Sequence, residues 1–142
     1  MKAGDVVGER FVIERLLGSG GMAEVFLAKD RVSGDRVAVK VLPAGPDVRA
    51  RFEREAEILA ALDHPGIVRY VAHGAPPGDQ ALYLAMEYLE GEDLADRIAR
   101  RILSIDETLV LAKSVASALS AAHARGVFHR DIKPANLFLV EK

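Results

Sequence analysis

Asp131, Lys133 and Asn136 stand close together in the run His129-Arg130-Asp131-Ile132-Lys133-Pro134-Ala135-Asn136. A carboxylate can take a proton from a hydroxyl, an ammonium can meet a transferred phosphoryl group, and a carboxamide oxygen can hold a hard metal ion. Together such groups suit the transfer of a phosphoryl group to a hydroxyl. With ~5% usage per residue type, six specified positions in a window of eight recur by chance on the order of 10⁻⁸. A chance basic-acidic turn after a helix is therefore a poor account of the run.

Two further groups belong to the same chemistry, each with a plainer reading beside it. The cluster Gly18-Ser19-Gly20-Gly21 lies between two segments with strand character. Glycines of this kind serve ordinary hairpin turns constantly. A P-loop would need Lys-Ser/Thr after the last glycine, and a dinucleotide fingerprint would need a helix to open there. Instead Glu24 to Lys29 (EVFLAK) alternates like a strand, which leaves a glycine-rich flap between antiparallel strands. Lys40 sits inside the apolar run Val37-Ala38-Val39-Lys40-Val41-Leu42. With period 2, Ala38, Lys40 and Leu42 point to one face and the valines to the other. Such a lysine can simply carry its ammonium to solvent, and Glu55, fifteen residues on, can be an ordinary surface glutamate.

The elements that must position these residues are legible from periodicity. Phe11 to Leu17, Glu24 to Lys29 and Arg36 to Leu42 read as strands of an antiparallel meander, with turns at the glycine cluster and at Ser33-Gly34-Asp35. Asp47 to Leu62 is helical by period, with Phe52, Ala56 and Leu59 on one face, and Asp63-His64-Pro65-Gly66 ends it. Ile67 to Ala72 and Ala81 to Tyr88 are further strands, separated by the turn-rich Ala75 to Gln80. Beyond Gly91 the pattern turns helical: a short helix from Leu94 to Arg101, then a longer one to about Arg125. Ser104 and Glu107 have capping-box spacing before the second, and Gly126 sits where a C-terminal cap glycine belongs. Leu109, Ala112, Val115, Leu119 and Ala122 mark its apolar face.

The 142 residues are half hydrophobic and 28% charged, the balance of an ordinary globular domain, and the net charge of −2 suggests neither a nucleic-acid footprint nor a polybasic membrane arm. Cysteine is absent, which excludes disulfides and thiolate metal sites. No apolar run approaches the length of a membrane span, and the N-terminal residues do not form a signal peptide. A cytoplasmic location is expected.

In their order along the chain these motifs resemble a Hanks-type protein kinase and are most similar to bacterial serine/threonine kinases. LLGSGGMAEVFLAKD is similar to the glycine-rich loop, VAVKVL to the lysine strand, FEREAEILAALDHPGIV to the αC helix and its exit, and LYLAMEYLEGEDL to the adenine-binding hinge. The resemblance covers Phe11 to Lys142. It implies an α+β protein-kinase-like fold: a five-stranded antiparallel N-lobe with the αC helix over 11–88, a hinge region over 89–92, and the first helices of a helical C-lobe over 93–142.

The resemblance also implies roles. Asp131 would be the catalytic base, Lys133 the γ-phosphate contact and Asn136 a ligand of Mg²⁺ or Mn²⁺. Lys40 would hold the α- and β-phosphates of ATP, with Glu55 as its ion-pair partner. Leu17, Gly18, Ser19, Gly20, Gly21, Met22 and Ala23 would form the flap over the phosphates. Val25 and Ala38 would pack on adenine, Met86 would be the gatekeeper, and the backbones of Glu87 and Leu89 would read the adenine edge. Lys133, two residues after Asp131, resembles the serine/threonine class, and Arg130 resembles kinases controlled by activation-loop phosphorylation. The implied activity is transfer of the ATP γ-phosphate to serine or threonine hydroxyls of a protein.

Two departures qualify this. Ala23 replaces the third glycine of the loop pattern, a small change. The sequence also reaches Lys142 before the Asp-Phe-Gly whose Asp binds the metal, and before the activation segment. These 142 residues alone are therefore expected to have little kinase activity, with an apolar helix face that favours self-association. Two other readings are a non-catalytic nucleotide-binding or interaction module and a small-molecule phosphotransferase of related fold. The form of the His129 to Asn136 run weighs against the second.

Overall fold

The computed structural model describes residues 1–75, 81–127 and 132–140. They fall into two compact units: Met1–Ala61 with Val68–Tyr88, and Leu62–Ile67 with the chain from Leu89 onward.

The first unit is built on one antiparallel sheet. Its strands are β1 (Val6–Val7), β2 (Phe11–Gly20), β3 (Ala23–Asp30), β4 (Arg36–Pro43), β5 (Tyr70–Gly74) and β6 (Ala81–Glu87), in the order β1-β2-β3-β4-β6-β5. The five expected strands are present, and Val6–Val7 adds a short sixth paired with Phe11 and Val12. The alternation read in the lysine strand decides the core. Val37 and Val39 are buried with Phe11, Ile13, Phe26, Ala28 and Ala85, while Ala38 and Lys40 lie on the other face and remain half-buried. Each large side chain so buried contributes about 1.5–3 kcal/mol. One strand shifts from its expected place. β5 begins at Tyr70 rather than Ile67, because the Ile67 N–H is committed to the His64 carbonyl at 3.0 Å and Leu62–Ile67 belongs to the second unit.

A polar clamp closes one end of the sheet. The Arg10 guanidinium donates twice to the Asp30 carboxylate, at 2.8 Å each, and Asp30 also accepts from the Val32 N–H and the Ser33 hydroxyl. Asp30 is only 1% exposed. Its hydrogen bonds from Arg10, foremost, hold its carboxyl well below the usual carboxylate range, against the opposing push of burial.

Helix α1 (Pro46–Ala61) starts with proline in its first turn and Asp47 beside the positive end of the helix dipole. It buries Phe52 and Ala56, one turn apart, and Phe52 meets His73 of β5 edge-on at 6.2 Å between ring centroids. The Tyr70 hydroxyl holds His73 through Nδ1 at 2.7 Å.

The second unit carries α2 (Leu94–Arg100), α3 (Ile105–His123), a 3₁₀ turn at Pro134–Asn136 and a two-stranded ribbon of β7 (Gly91–Asp93) and β8 (Phe138–Val140). Asp93 caps α2 by accepting from the Asp96 N–H at 2.8 Å. The capping box of α3 is complete: Ser104 Oγ accepts from the Glu107 N–H, and Glu107 accepts from the Ser104 N–H. Arg97, 7% exposed, donates to the Arg101 carbonyl and pairs with Glu107 at 3.0 Å, tying the two helices together. At the far end Gly126 takes the left-handed conformation, φ +74°. The ribbon needs glycine at 91. Its φ is +147°, and a Cβ there would overlap the Leu139 carbonyl oxygen. Among the described residues, no helix is long and apolar enough to cross a membrane.

Candidate active site

The glycine-rich flap is the tip of the β2-β3 hairpin, where Gly20 pairs with Ala23, Ser19 with Glu24 and Gly18 with Val25. Gly21 has φ +57°, which favours glycine for backbone reasons. Gly18 and Gly20 are different, because a Cβ on either would meet nothing within 4 Å. Packing inside the chain therefore does not demand glycine at those two positions. What glycine supplies there is bare backbone and open space, a cradle that side chains would fill. Met22 and Ser19 are exposed at this tip, Ala23 beside them is half-buried, and so is Leu17 further down the hairpin.

Register assembles the rest of the set in the first unit. Lys40 pairs with Val25 on one side and Leu84 on the other, and Ala38 pairs with Leu27 and Met86. Directly paired residues of an antiparallel sheet share a face. Val25, Ala38, Lys40 and Met86 therefore occupy one face, opposite the aromatic core, beside the open hairpin. Helix α1 packs on that same face, since its Phe52 meets His73 and His73 pairs with Leu84.

The ion pair expected between Lys40 and Glu55 is not made. The ion pairs among the described residues are Arg10–Asp30, Arg97–Glu107 and Arg100–Glu92, and Glu55 is exposed. At about 100° per residue Glu55 stands roughly 60° around the helix from Phe52, at the border of the face that Phe52 and Ala56 seat on the sheet, and there it is exposed.

Glu87 ends β6 in a reciprocal clasp with Arg69. Its N–H donates to the Arg69 carbonyl at 2.9 Å, and its carboxylate accepts from the Arg69 N–H at 2.8 Å. This use of the side chain was not foreseen from the sequence. Leu89 opens the second unit's main stretch and is half-buried.

In the second unit Lys133 precedes the 3₁₀ turn, and the Asn136 N–H returns to the Lys133 carbonyl at 2.9 Å, so the turn holds these two exposed residues close in space. Asp131, with His129 and Arg130, lies outside the described residues. The Asn136 carboxamide is an oxygen donor suited to a hard divalent cation. No three His, Asp or Glu side chains converge on a metal position among the described residues.

An antiparallel sheet with an open glycine hairpin, a lysine on its inner face and one packed helix, followed by a unit that carries Lys133 and Asn136, is the architecture of nucleotide-dependent phosphotransferases of the kinase class. The comparisons agree. Residues 11–142 match the protein kinase domain family. The chain is 42% identical over 138 residues to serine/threonine-protein kinase pkn2 of Myxococcus xanthus, an alignment covering 94% of this chain and 16% of that protein. It is 38% identical over 144 residues to serine/threonine-protein kinase PrkC of Bacillus subtilis, covering 98% of this chain and 22% of that one. The crystal structure of the Mycobacterium tuberculosis PknI kinase domain superposes with a TM-score of 0.84 at 36% identity, over 99% of this chain and 58% of that one. The chain belongs to the protein kinase domain family and carries part of a bacterial-type serine/threonine kinase domain.

Proposed function

We infer that this chain is the front part of an ATP-dependent serine/threonine protein kinase, with 11–88 as its N-lobe, 89–92 as its hinge region and 93–142 as the start of its C-lobe. The observation that carries this reading is the register that gathers Val25, Ala38, Lys40 and Met86 on one face beside a hairpin whose glycines are not required by packing. Val25 and Ala38 hold the adenine, Met86 bounds its pocket, and the backbones of Glu87 and Leu89 receive its edge. The hairpin from Leu17 to Ala23 covers the phosphates, Lys40 binds the α- and β-phosphates, and Glu55 orients Lys40 once α1 brings it round. Asp131 aligns and deprotonates the acceptor hydroxyl, Lys133 steadies the γ-phosphate and Asn136 supplies an oxygen to Mg²⁺. When bound, the divalent ion neutralises phosphate charge. The substrate is a protein hydroxyl, and the work is done in the cytoplasm, where ATP is held.

The unpaired Glu55 supports a second reading, a module that binds nucleotide without transferring phosphate. One experiment separates the two. Calorimetry with ATP and Mg²⁺, beside a γ-phosphate transfer assay on the polypeptide expressed from its full reading frame, should show binding and transfer. Lys40→Met should abolish transfer, and Asp131→Asn should abolish transfer while sparing binding. Binding without transfer in the unaltered protein favours the second reading, and absence of binding overturns both.

A further inference from the structure

His64 lies in the segment Leu62–Ile67, which joins α1 to β5 in sequence yet belongs to the second unit. Its ring is engaged at both nitrogens. Nδ1 accepts from the Gly66 N–H at 2.8 Å, and Nε2 lies 2.9 Å from Ser117 Oγ on α3. A backbone N–H can only donate, so Nδ1 must carry a lone pair. The neutral ring then bears its proton on Nε2 and donates to Ser117. Gly66 is pressed between this ring and α3, since a Cβ on it would lie 3.1 Å from His64 Nδ1 and 3.2 Å from the Ala118 Cβ. Close approach, rather than a left-handed backbone, is what asks for glycine here.

We propose that this clasp is a proton-operated latch, closed only while His64 is neutral. A proton on Nδ1 would set two donors against each other at hydrogen-bond distance, and the Gly66 amide must then turn away. Protonation of the ring therefore opens the clasp, and loss of that proton closes it. The charged residues on the two elements that meet here are Asp63 on the segment itself and, on α3, Lys113 one turn from Ser117, with Asp106 and Glu107 at one end and His123 at the other. Opening frees Leu62–Ile67 from α3 within the second unit, and this chemistry stands without the kinase reading.

The test is nitrogen-15 NMR of the imidazole rings, read together with hydrogen exchange at the Gly66 amide across a pH series. At neutral pH His64 should carry its proton on Nε2, and the Gly66 amide should be protected. After correction for intrinsic exchange, protection should fall by about tenfold as His64 titrates, the scale of one lost hydrogen bond. His64→Asn keeps an acceptor two residues before Gly66 but cannot titrate, so protection should persist and the pH step should vanish. Ser117→Ala removes only the Nε2 partner and should leave the step in place. A proton on Nδ1, protection that ignores the titration of His64, or a step that survives in His64→Asn would each overturn the latch.

Discussion

The β-sheet of the first unit and helix α3 of the second hold themselves together by different means. The sheet buries Phe11, Ile13, Phe26 and Val39 almost completely, whereas α3 buries none of its residues, leaving Leu109 54% and Ile105 81% exposed. Of the apolar face read in α3, Val115, Leu119 and Ala122 are half-buried, while Leu109 and Ala112 are exposed. What secures α3 instead is polar: a capping box, the Arg97–Glu107 pair and the His64–Ser117 contact. A helix whose apolar stripe is at most half-buried leans more on such polar contacts, because stable helices usually draw most of their stability from a packed face.

The sharpest way to break this comparison is to empty the sheet's core. Phe11→Ala should cost about 3–5 kcal/mol, the usual cost of deleting a buried phenyl ring, and urea unfolding followed by a probe in the first unit should register it. A loss below about 1 kcal/mol would mean that the sheet is not the self-sufficient part.

The next largest effect falls on the buried clamp. Asp30→Asn leaves Arg10 without its charge partner, but that side chain is already 32% exposed and can turn to water. About 2 kcal/mol is expected, less than for a fully buried pair. Because the folded-state carboxyl is held low, Asp30 contributes stability above its unfolded value near 3.9 and loses it as pH falls below that. Acid unfolding of the Asn variant should accordingly be less steep below about pH 4 than that of the parent. Equal steepness would place the acid sensitivity elsewhere.

Smaller effects are expected in the second unit, and they sharpen the contrast. Ser104→Ala removes the cap of α3 and should cost about 1 kcal/mol, seen as faster hydrogen exchange in its first turn with no change in the sheet. Smallest of all, Leu109→Gln should change stability by less than about 0.5 kcal/mol, since the site is exposed. Its visible result should be weaker self-association in analytical ultracentrifugation. A large loss of stability would show that Leu109 is packed in solution.

Much of the architecture was readable because it depends on short-range pattern. Val37 to Leu42 alternates, and the two faces it predicted are those observed. Ser104 and Glu107 stand three apart, and the capping box formed. The α1 pattern placed Phe52 and Ala56 inward, and both are buried. Other features had no local signal. Two residues, Val6 and Val7, are too few to show a period. The Arg10–Asp30 clamp joins positions 20 residues apart that become neighbours only when β2 and β3 pair. The same holds for the ribbon of β7 and β8, whose partners are separated by two helices.

The candidate site divides along the same line. Residue types and spacing in His129 to Asn136, with the glycines and Lys40, were enough to point to the protein kinase family that residues 11–142 match, because a motif is a matter of functional groups and their order. Whether Glu55 meets Lys40, and to which unit Leu62–Ile67 belongs, were decided only in three dimensions. The first depends on how closely α1 approaches the lysine strand, and the second on a histidine that finds its partner 53 residues away. Neither outcome is a local preference of the chain. Each is settled by long-range packing and hydrogen bonding that no short window of sequence contains.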